Sequence, residues 1–284
     1  MNYQTTEQLS EMRLKAMRQE YMRQLELPAI ADLSFDDRFA MIVTAQYNDR
    51  QDARIKRLLK AAKLREETAS LANIDYDAVR KLPQAKIAQL SDCSWIRNGT
   101  NLVITGATGV GKTYLLSAFG REACMQGLSV RSFRVPRMLT DLAIGRGDGS
   151  YNKLLKDMTK PDLLILDDFG LKQIELALSH DFLEVIEERY HAGKSTALSA
   201  QLPVKEWPSV FKDATIAYAI MDRLVRNAYR IEPKGPSRRP TLEHSPSEND
   251  STPSAGYTTD NLRCQACLSG REFCPDIAGT ASGN

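Results

Sequence analysis

From Asn101 onward, short apolar runs alternate with longer stretches in which apolar residues recur every three or four positions. The runs LVIT, VRSF, LLIL, STALS and AYRIE are separated by helical-period segments at 112–126, 136–145, 176–191 and 204–225. Strands alternating with helices predict a parallel sheet covered on both faces, so 100–240 reads as an α/β core. Ahead of it the period is helical only. Thr5 and Gln8 have capping-box spacing, and Leu9, Met12, Ala16 and Met17 follow at helical intervals until Pro28. Ser34 and Asp37 signal a second start, after which Phe35, Phe39, Ile42 and Val43 share a face, and a third stretch runs from Asp49 to Arg65. Residues 1–70 are therefore expected to form a small all-helical domain, and 71–99, with Pro83 inside it, a connecting segment. After about Pro240 the text HSPSENDSTPSAG has almost no large apolar residue, so 241–284 reads as a low-complexity tail without a core of its own.

Length and composition narrow the class. With 284 residues, 42% of them hydrophobic, the chain can build one good core and an appended small domain. No apolar run approaches the roughly 20 residues of a membrane helix. The N-terminus, MNYQTTEQLSEMRLK, lacks the apolar centre of a signal peptide. A soluble, cytoplasmic protein with no membrane partner is the expectation. Five cysteines at irregular spacing suit a reducing compartment. Cys264, Cys267 and Cys274 resemble part of a zinc site, but no fourth ligand follows, and His244 is distant. A net charge of +2 selects no partner, so the local distribution of charge must be read.

The turn between the first core strand and its helix carries specific chemistry. Gly106, Ala107, Thr108, Gly109, Val110, Gly111, Lys112 and Thr113 fit G-x-x-x-x-G-K-[ST]. Glycines let the backbone wrap so that its N–H groups face phosphates, and the following helix adds the positive end of its dipole. Lys112 is expected to reach the β- and γ-phosphates of ATP, and Thr113 to offer a hydroxyl to Mg²⁺. The second half of such a site is an acid at the carboxyl end of a neighbouring buried strand. LLIL followed by Asp167 and Asp168 supplies it: Asp167 for Mg²⁺ through water, Asp168 to orient the attacking water. The next strand runs from Ser195 to Ser199 and into Gln201; Gln201 is the better candidate to point between the acids and the γ-phosphate, with Ser199 as the other option. Arg223 and Arg226 on a helix, and Arg238 and Arg239 beyond the last strand, are candidates to stabilise charge on the γ-phosphate.

One stretch speaks to a macromolecular partner. ARIKRLLKAAKLR, residues 53–65, contains no acid. On a helix, Ile55, Leu58, Leu59 and Ala62 form one stripe, and Arg54, Lys56, Arg57, Lys60, Lys63 and Arg65 fill the rest. A broad cationic face of this kind attracts nucleic-acid backbones through counterion release, without reading sequence.

Taken together, LKAAKLR, CSWIRNGTNLVITGATGVGKT, PDLLILDDFG, LEVIEERY, PVKEW and DRLVRNAYRI with its following KG resemble the IstB-like ATPases. These are the helpers encoded beside the transposase in one family of bacterial insertion sequences, related to the DnaC helicase loader within the AAA+ class. The resemblance covers about residues 5–240. It implies a P-loop core of the AAA+ type, preceded by a helical DNA-binding and assembly domain. It implies an ATPase that forms an ATP-dependent homo-oligomer on double-stranded DNA and delivers target DNA to the cognate transposase. A helicase loader, and a nucleotide-gated DNA adaptor with little hydrolysis, are the alternatives. By motif position, Arg223 matches an arginine finger acting across a subunit interface, Arg239 a nucleotide-sensing arginine, and Gln201 a position where relatives often carry Asn. Many AAA+ proteins have Asp-Glu where this chain has Asp167-Asp168, a difference that bears on hydrolysis rate rather than binding.

Overall fold

The computed structural model describes residues 3–27, 30, 32–76, 79 and 81–237, all within one compact unit, Met1–Arg239. Pro28, Arg238, Arg239, His244 and the cysteines of the tail lie outside the described residues.

The core is a five-stranded sheet: β1 (Asn101–Thr105), β2 (Val130–Arg134), β3 (Leu163–Phe169), β4 (Ser195–Ala200) and β5 (Ala228–Ile231). Every pairing is parallel and the order is β2-β3-β4-β1-β5. A strand buried on both faces sends alternate side chains to opposite layers. Leu102, Ile104, Leu163, Ile165, Ala197 and Ile231 point into one layer, against α6 (Lys112–Met125). Val103, Leu164, Leu166 and Leu198 point into the other. There they meet α7 (Val135–Asp148), α8 (Tyr151–Thr159), α9 (Leu176–His191) and α10 (Ala214–Val225). The expectation of a parallel sheet with helices on both faces holds. Two details differ. A separate helix, α8, follows α7, and the stretch expected as one helix over 204–225 begins as a 3-10 turn, Val204–Val210, with Pro208 inside it. The helix proper starts after Asp213, whose side chain accepts from Thr215 N at 2.7 Å and Ile216 N at 3.1 Å.

The N-terminal residues form α1 (Tyr3–Glu11), α2 (Lys15–Glu26) and α3 (Phe35–Ala62). The periodicity over Leu9 to Met17 is interrupted at Arg13, which takes a left-handed φ of 60°. The two further helices read from the sequence are a single helix of 28 residues. Nothing between Thr44 and Asp52 breaks it, because the stretch holds neither Gly nor Pro; Asp49 is a solvated mid-helix residue. Ser34 starts α3 by accepting from Asp37 N at 3.2 Å. α2 runs antiparallel to α3, pinned by Gln24 Nε2 donating to Arg38 O at 3.0 Å and Met17 N to Gln46 Oε1 at 3.3 Å. Phe35, Phe39 and Val43 share a face as expected, but that face is exposed. The C-terminal end of α3 packs on α6 and β2. The connecting segment folds as a 3-10 turn, Leu71–Asn73, then α4 (Gln84–Leu90) and α5 (Ser94–Arg97), and fills out the α6 layer with Ile74, Ile87, Leu90, Trp95 and Ile96. Among the described residues no helix is long and apolar enough to cross a membrane.

Candidate functional site

The glycine-rich turn leaves β1 at Thr105 and enters α6 at Lys112, at the carboxyl end of the sheet. Gly109 and Gly111 have φ of 86° and 94°, a left-handed backbone that side chains rarely adopt. At Gly109 a Cβ would also fall 2.1 Å from Ser237 Oγ, so the segment after β5 crosses over the loop only because this residue is glycine. Lys112 is buried, and its Nζ donates to Gly106 O at 2.8 Å and Ala107 O at 2.7 Å, inside the curl of its own loop. Thr108, Gly109, Gly111, Lys112 and Thr113 line a pocket of about 420 Å³. Its other walls include Asn73, Ile74 and Asp75 of the connecting segment, together with Tyr114, Asp168 and Gln201. Val110 is buried beneath the loop.

The two acids are set by an irregularity in β3. Leu166 pairs with Leu198 and Phe169 with Ala200, so three steps along β3 match two along β4. Such a bulge re-aims side chains that a regular strand would send to opposite faces. Asp168 takes a φ of 63° there, and Asp167 and Asp168 come to share one partner. Asp167 is 3% exposed. It accepts from Thr113 Oγ1, 2.9 Å from Oδ2 and 3.2 Å from Oδ1. Ser199 Oγ donates to Asp167 Oδ1 and accepts from Asp168 N at 3.1 Å. The Thr113 hydroxyl and the Asp167 carboxylate make a hard oxygen pair of the kind that holds Mg²⁺ alongside phosphate oxygens and water.

Both candidates from this strand lie near the acids, in different places. Ser199 touches both acids because it lies on the strand beside them; Gln201 is past the end of β4, exposed, at the pocket wall.

The structure moves Arg65 from one group to another. The sequence assigns it to the cationic helix face, yet α3 ends at Ala62, Lys63 turns left-handed at φ 51°, and Arg65 points into the pocket. Its Nη1 donates to Asp167 Oδ2 and to Asp168 Oδ2, each at 3.0 Å. Partial burial lowers the guanidinium pKa, but the hydrogen bonds and charges of the two carboxylates outweigh it and hold the value above the ordinary one. Arg134, which the sequence reading passed over, grips Asp168 from the other side, Nε to Oδ2 at 2.7 Å. Its place at the carboxyl end of β2 was the available signal, since ligands of open α/β sheets gather there. Nothing in the periodicity marks Arg65.

The rest of the cationic set keeps its expected face. Ile55, Leu58 and Leu59 are half-buried and Ala62 is buried; Lys56, Arg57, Lys60 and Lys63 are exposed. Arg54 is exposed too, and its Nη2 donates to Gly127 O at 3.1 Å, tying α3 to the core.

Arg223 lies at the opposite end of β1 from the loop. Asn101, the first residue of β1, donates from Nδ2 to Arg223 O at 2.8 Å, whereas the phosphate loop follows the last. Arg223 is not among the residues that line the pocket. Its Nη2 pairs with Glu187 at 2.7 Å and its Nη1 donates to Ala219 O, while among the described residues its buried Nε finds no partner. Arg226 is exposed and pairs with Asp222 one turn earlier.

Known proteins are similar to this chain in sequence and fold. The chain is 43% identical over 203 residues to a Pseudomonas fluorescens protein named for ATP binding in insertion sequence IS1162, covering 72% of this chain and 87% of that one. It is 37% identical over 235 residues to the insertion-sequence ATP-binding protein y4pL of Sinorhizobium fredii, covering 83% and 95%. Among solved structures, DnaI superposes with a TM-score of 0.52 at 23% identity, covering 63% of this chain and 94% of that one. At that identity the likeness speaks to fold alone, and the fold is the P-loop parallel sheet of the AAA+ type. The model of the family described as IstB-like ATP-binding protein matches residues 7–245, from the first helix through the last strand. The chain therefore belongs to the IstB-like ATP-binding proteins.

Proposed function

We propose that the protein is a magnesium-dependent ATPase that assembles on double-stranded DNA as a homo-oligomer and delivers that DNA to the transposase of its insertion sequence. The observation that carries this reading is a built nucleotide site and an exposed cationic helix within one compact unit. Names of the relatives, which tie ATP binding to insertion sequences, support the same setting.

Each residue has a task. The loop N–H groups and Lys112 bind the triphosphate; Thr113 and Asp167 hold the cation, which when bound would neutralise charge on the β- and γ-phosphates. Asp168 orients the attacking water, Ser199 fixes the two acids, and Gln201 faces the γ-phosphate from the pocket wall. Arg223 acts on the pocket of a neighbouring subunit, since it is not among the residues that line its own. Arg239 senses the nucleotide. Lys56, Arg57, Lys60 and Lys63 meet DNA phosphates with Arg54 beside them.

ATP turnover of the full chain, with and without random-sequence duplex DNA, tests the reading. Turnover is expected to rise on DNA and to vanish in Lys112→Ala, while circular dichroism of that variant stays unchanged. A wild-type chain that binds ATP and DNA but hydrolyses nothing under either condition would replace the ATPase with an adaptor.

A further inference from the structure

Arg65 reaches the acids from outside the sheet, across the end of α3. Its position is engineered by the fold around it. Leu64 is seated against Gly120 in the middle of α6, where a Cβ would fall 2.8 Å from Leu64 Cδ2 and 2.7 Å from Ile165 Cδ1. Glu66 N donates to Ser117 Oγ at 3.3 Å, Arg121 Nη1 to Glu67 O at 3.1 Å, and Ser70 N to Tyr114 Oη at 3.3 Å. The segment leaving α3 is thereby stitched along α6, and Arg65 is the side chain it delivers to the acids. One carboxylate oxygen, Asp167 Oδ2, accepts both from Arg65 at 3.0 Å and from Thr113 at 2.9 Å. That oxygen belongs to the donor pair suited to Mg²⁺. A guanidinium and a divalent cation cannot both sit on it without strong repulsion.

We propose that Arg65 is a magnesium-displaced latch between the end of α3 and the Asp167–Asp168 pair. Without the cation, Arg65 bonds both carboxylates, balancing their charge together with Arg134, and holds residues 63–67 against α6. With a magnesium nucleotide bound, Thr113 and Asp167 would hold the cation, Arg65 would leave Asp167, and Asp168 would keep only Arg134 on its Oδ2. The same displacement loosens the C-terminal end of α3, so nucleotide state reaches the helix that bears Lys56, Arg57, Lys60 and Lys63. Arg65 is a positioning residue in this scheme. The proposal rests on the reading of the pocket as a magnesium–nucleotide site.

The test uses the full chain, a fluorescent non-hydrolysable ATP analogue and a Mg²⁺ titration, with Arg65→Gln and Arg65→Lys beside the wild type. Removing the competing charge should lower the Mg²⁺ concentration for half-maximal binding in Arg65→Gln by about fivefold, the scale of one partly exposed charge interaction. Arg65→Lys should stay near the wild type. Amide exchange over residues 62–67 should quicken in the wild type when the magnesium nucleotide binds, and should already be fast in Arg65→Gln without it. An unshifted Mg²⁺ midpoint in Arg65→Gln overturns the latch, as does nucleotide binding that weakens equally with and without Mg²⁺, which would make Arg65 a phosphate ligand. Exchange over 62–67 that ignores the nucleotide overturns it too. If the wild type binds no analogue at any Mg²⁺ concentration, the nucleotide reading itself has failed, a result distinct from the others.

Discussion

At the residue scale, the separation of tasks between two consecutive aspartates is the most exposed part of the argument. Asp167 is buried and shared among Thr113, Ser199 and Arg65, whereas Asp168 faces the pocket between Arg65 and Arg134. Asp168→Asn keeps size and shape but removes the charge proposed to orient water. Turnover should fall at least about tenfold while the affinity for ATP changes little. Equal turnover in variant and wild type would transfer the water-orienting role to another residue. The phosphate loop was legible because its chemistry is local: glycine, lysine and threonine at fixed spacing dictate a backbone path. Asp167 was legible because a run of four apolar residues ending in an acid marks the mouth of a buried strand. Ser199 was only half legible, since strand pattern alone does not tell which of Ser199 and Gln201 lies beside a bulge in another strand. Arg65 was illegible as a site residue. Its destination depends on where α3 stops and on Leu64 fitting over Gly120, a contact 56 positions away in the sequence.

At the element scale, three strands are tied at their amino ends by one carboxylate. Asp162, just ahead of β3, accepts from Ser129 N at 3.0 Å and Ser129 Oγ at 2.7 Å ahead of β2, and pairs with Lys194 ahead of β4. Partial burial raises its pKa, but the bonds from Lys194 and Ser129 outweigh that and hold it below the ordinary value. The folded chain then binds fewer protons at this group than the unfolded chain. Its contribution to stability is complete above the unfolded value of about 3.9, and is lost as pH falls through the lower folded value. Asp162→Asn should lower the melting temperature at pH 7 by roughly 2–4 °C, the effect of about 1 kcal/mol in a domain of this size. Between pH 6 and pH 3 the variant should lose less stability than the wild type. Parallel acid limbs for the two proteins would remove Asp162 from the account. The parallel sheet and its helix coverage were readable from periodicity, because buried parallel strands leave continuous apolar runs, whereas the order of the strands came from the structure alone. The unity of α3 was not, since a polar residue such as Asp49, where the third stretch was begun, is equally at home on the solvated face of a longer helix.

At the scale of the whole molecule, the question is whether the exposed face of α3 meets DNA or only water. Leu58, Leu59 and Ala62 of the helix stripe pack against the core and Ile55 is half-buried, so Lys56, Arg57, Lys60 and Lys63 are held outward on a fixed element. Replacing Arg57, Lys60 and Lys63 with Gln retains helix propensity and removes three charges from that face. None of the three touches the pocket, so nucleotide binding should persist. DNA affinity should weaken by a similar factor for unrelated duplexes, because phosphate contacts carry no sequence information. The slope of log affinity against log salt should shrink by up to about three units, each lost contact accounting for about 0.9. DNA-stimulated turnover should fall with it if assembly on DNA is what brings Arg223 of one subunit to the pocket of the next. Basal turnover, which needs only the loop and the acids, should not. A triple variant with wild-type affinity and wild-type salt slope would mean that the face is merely solvated, and the path of the DNA would then have to be sought on the sheet domain.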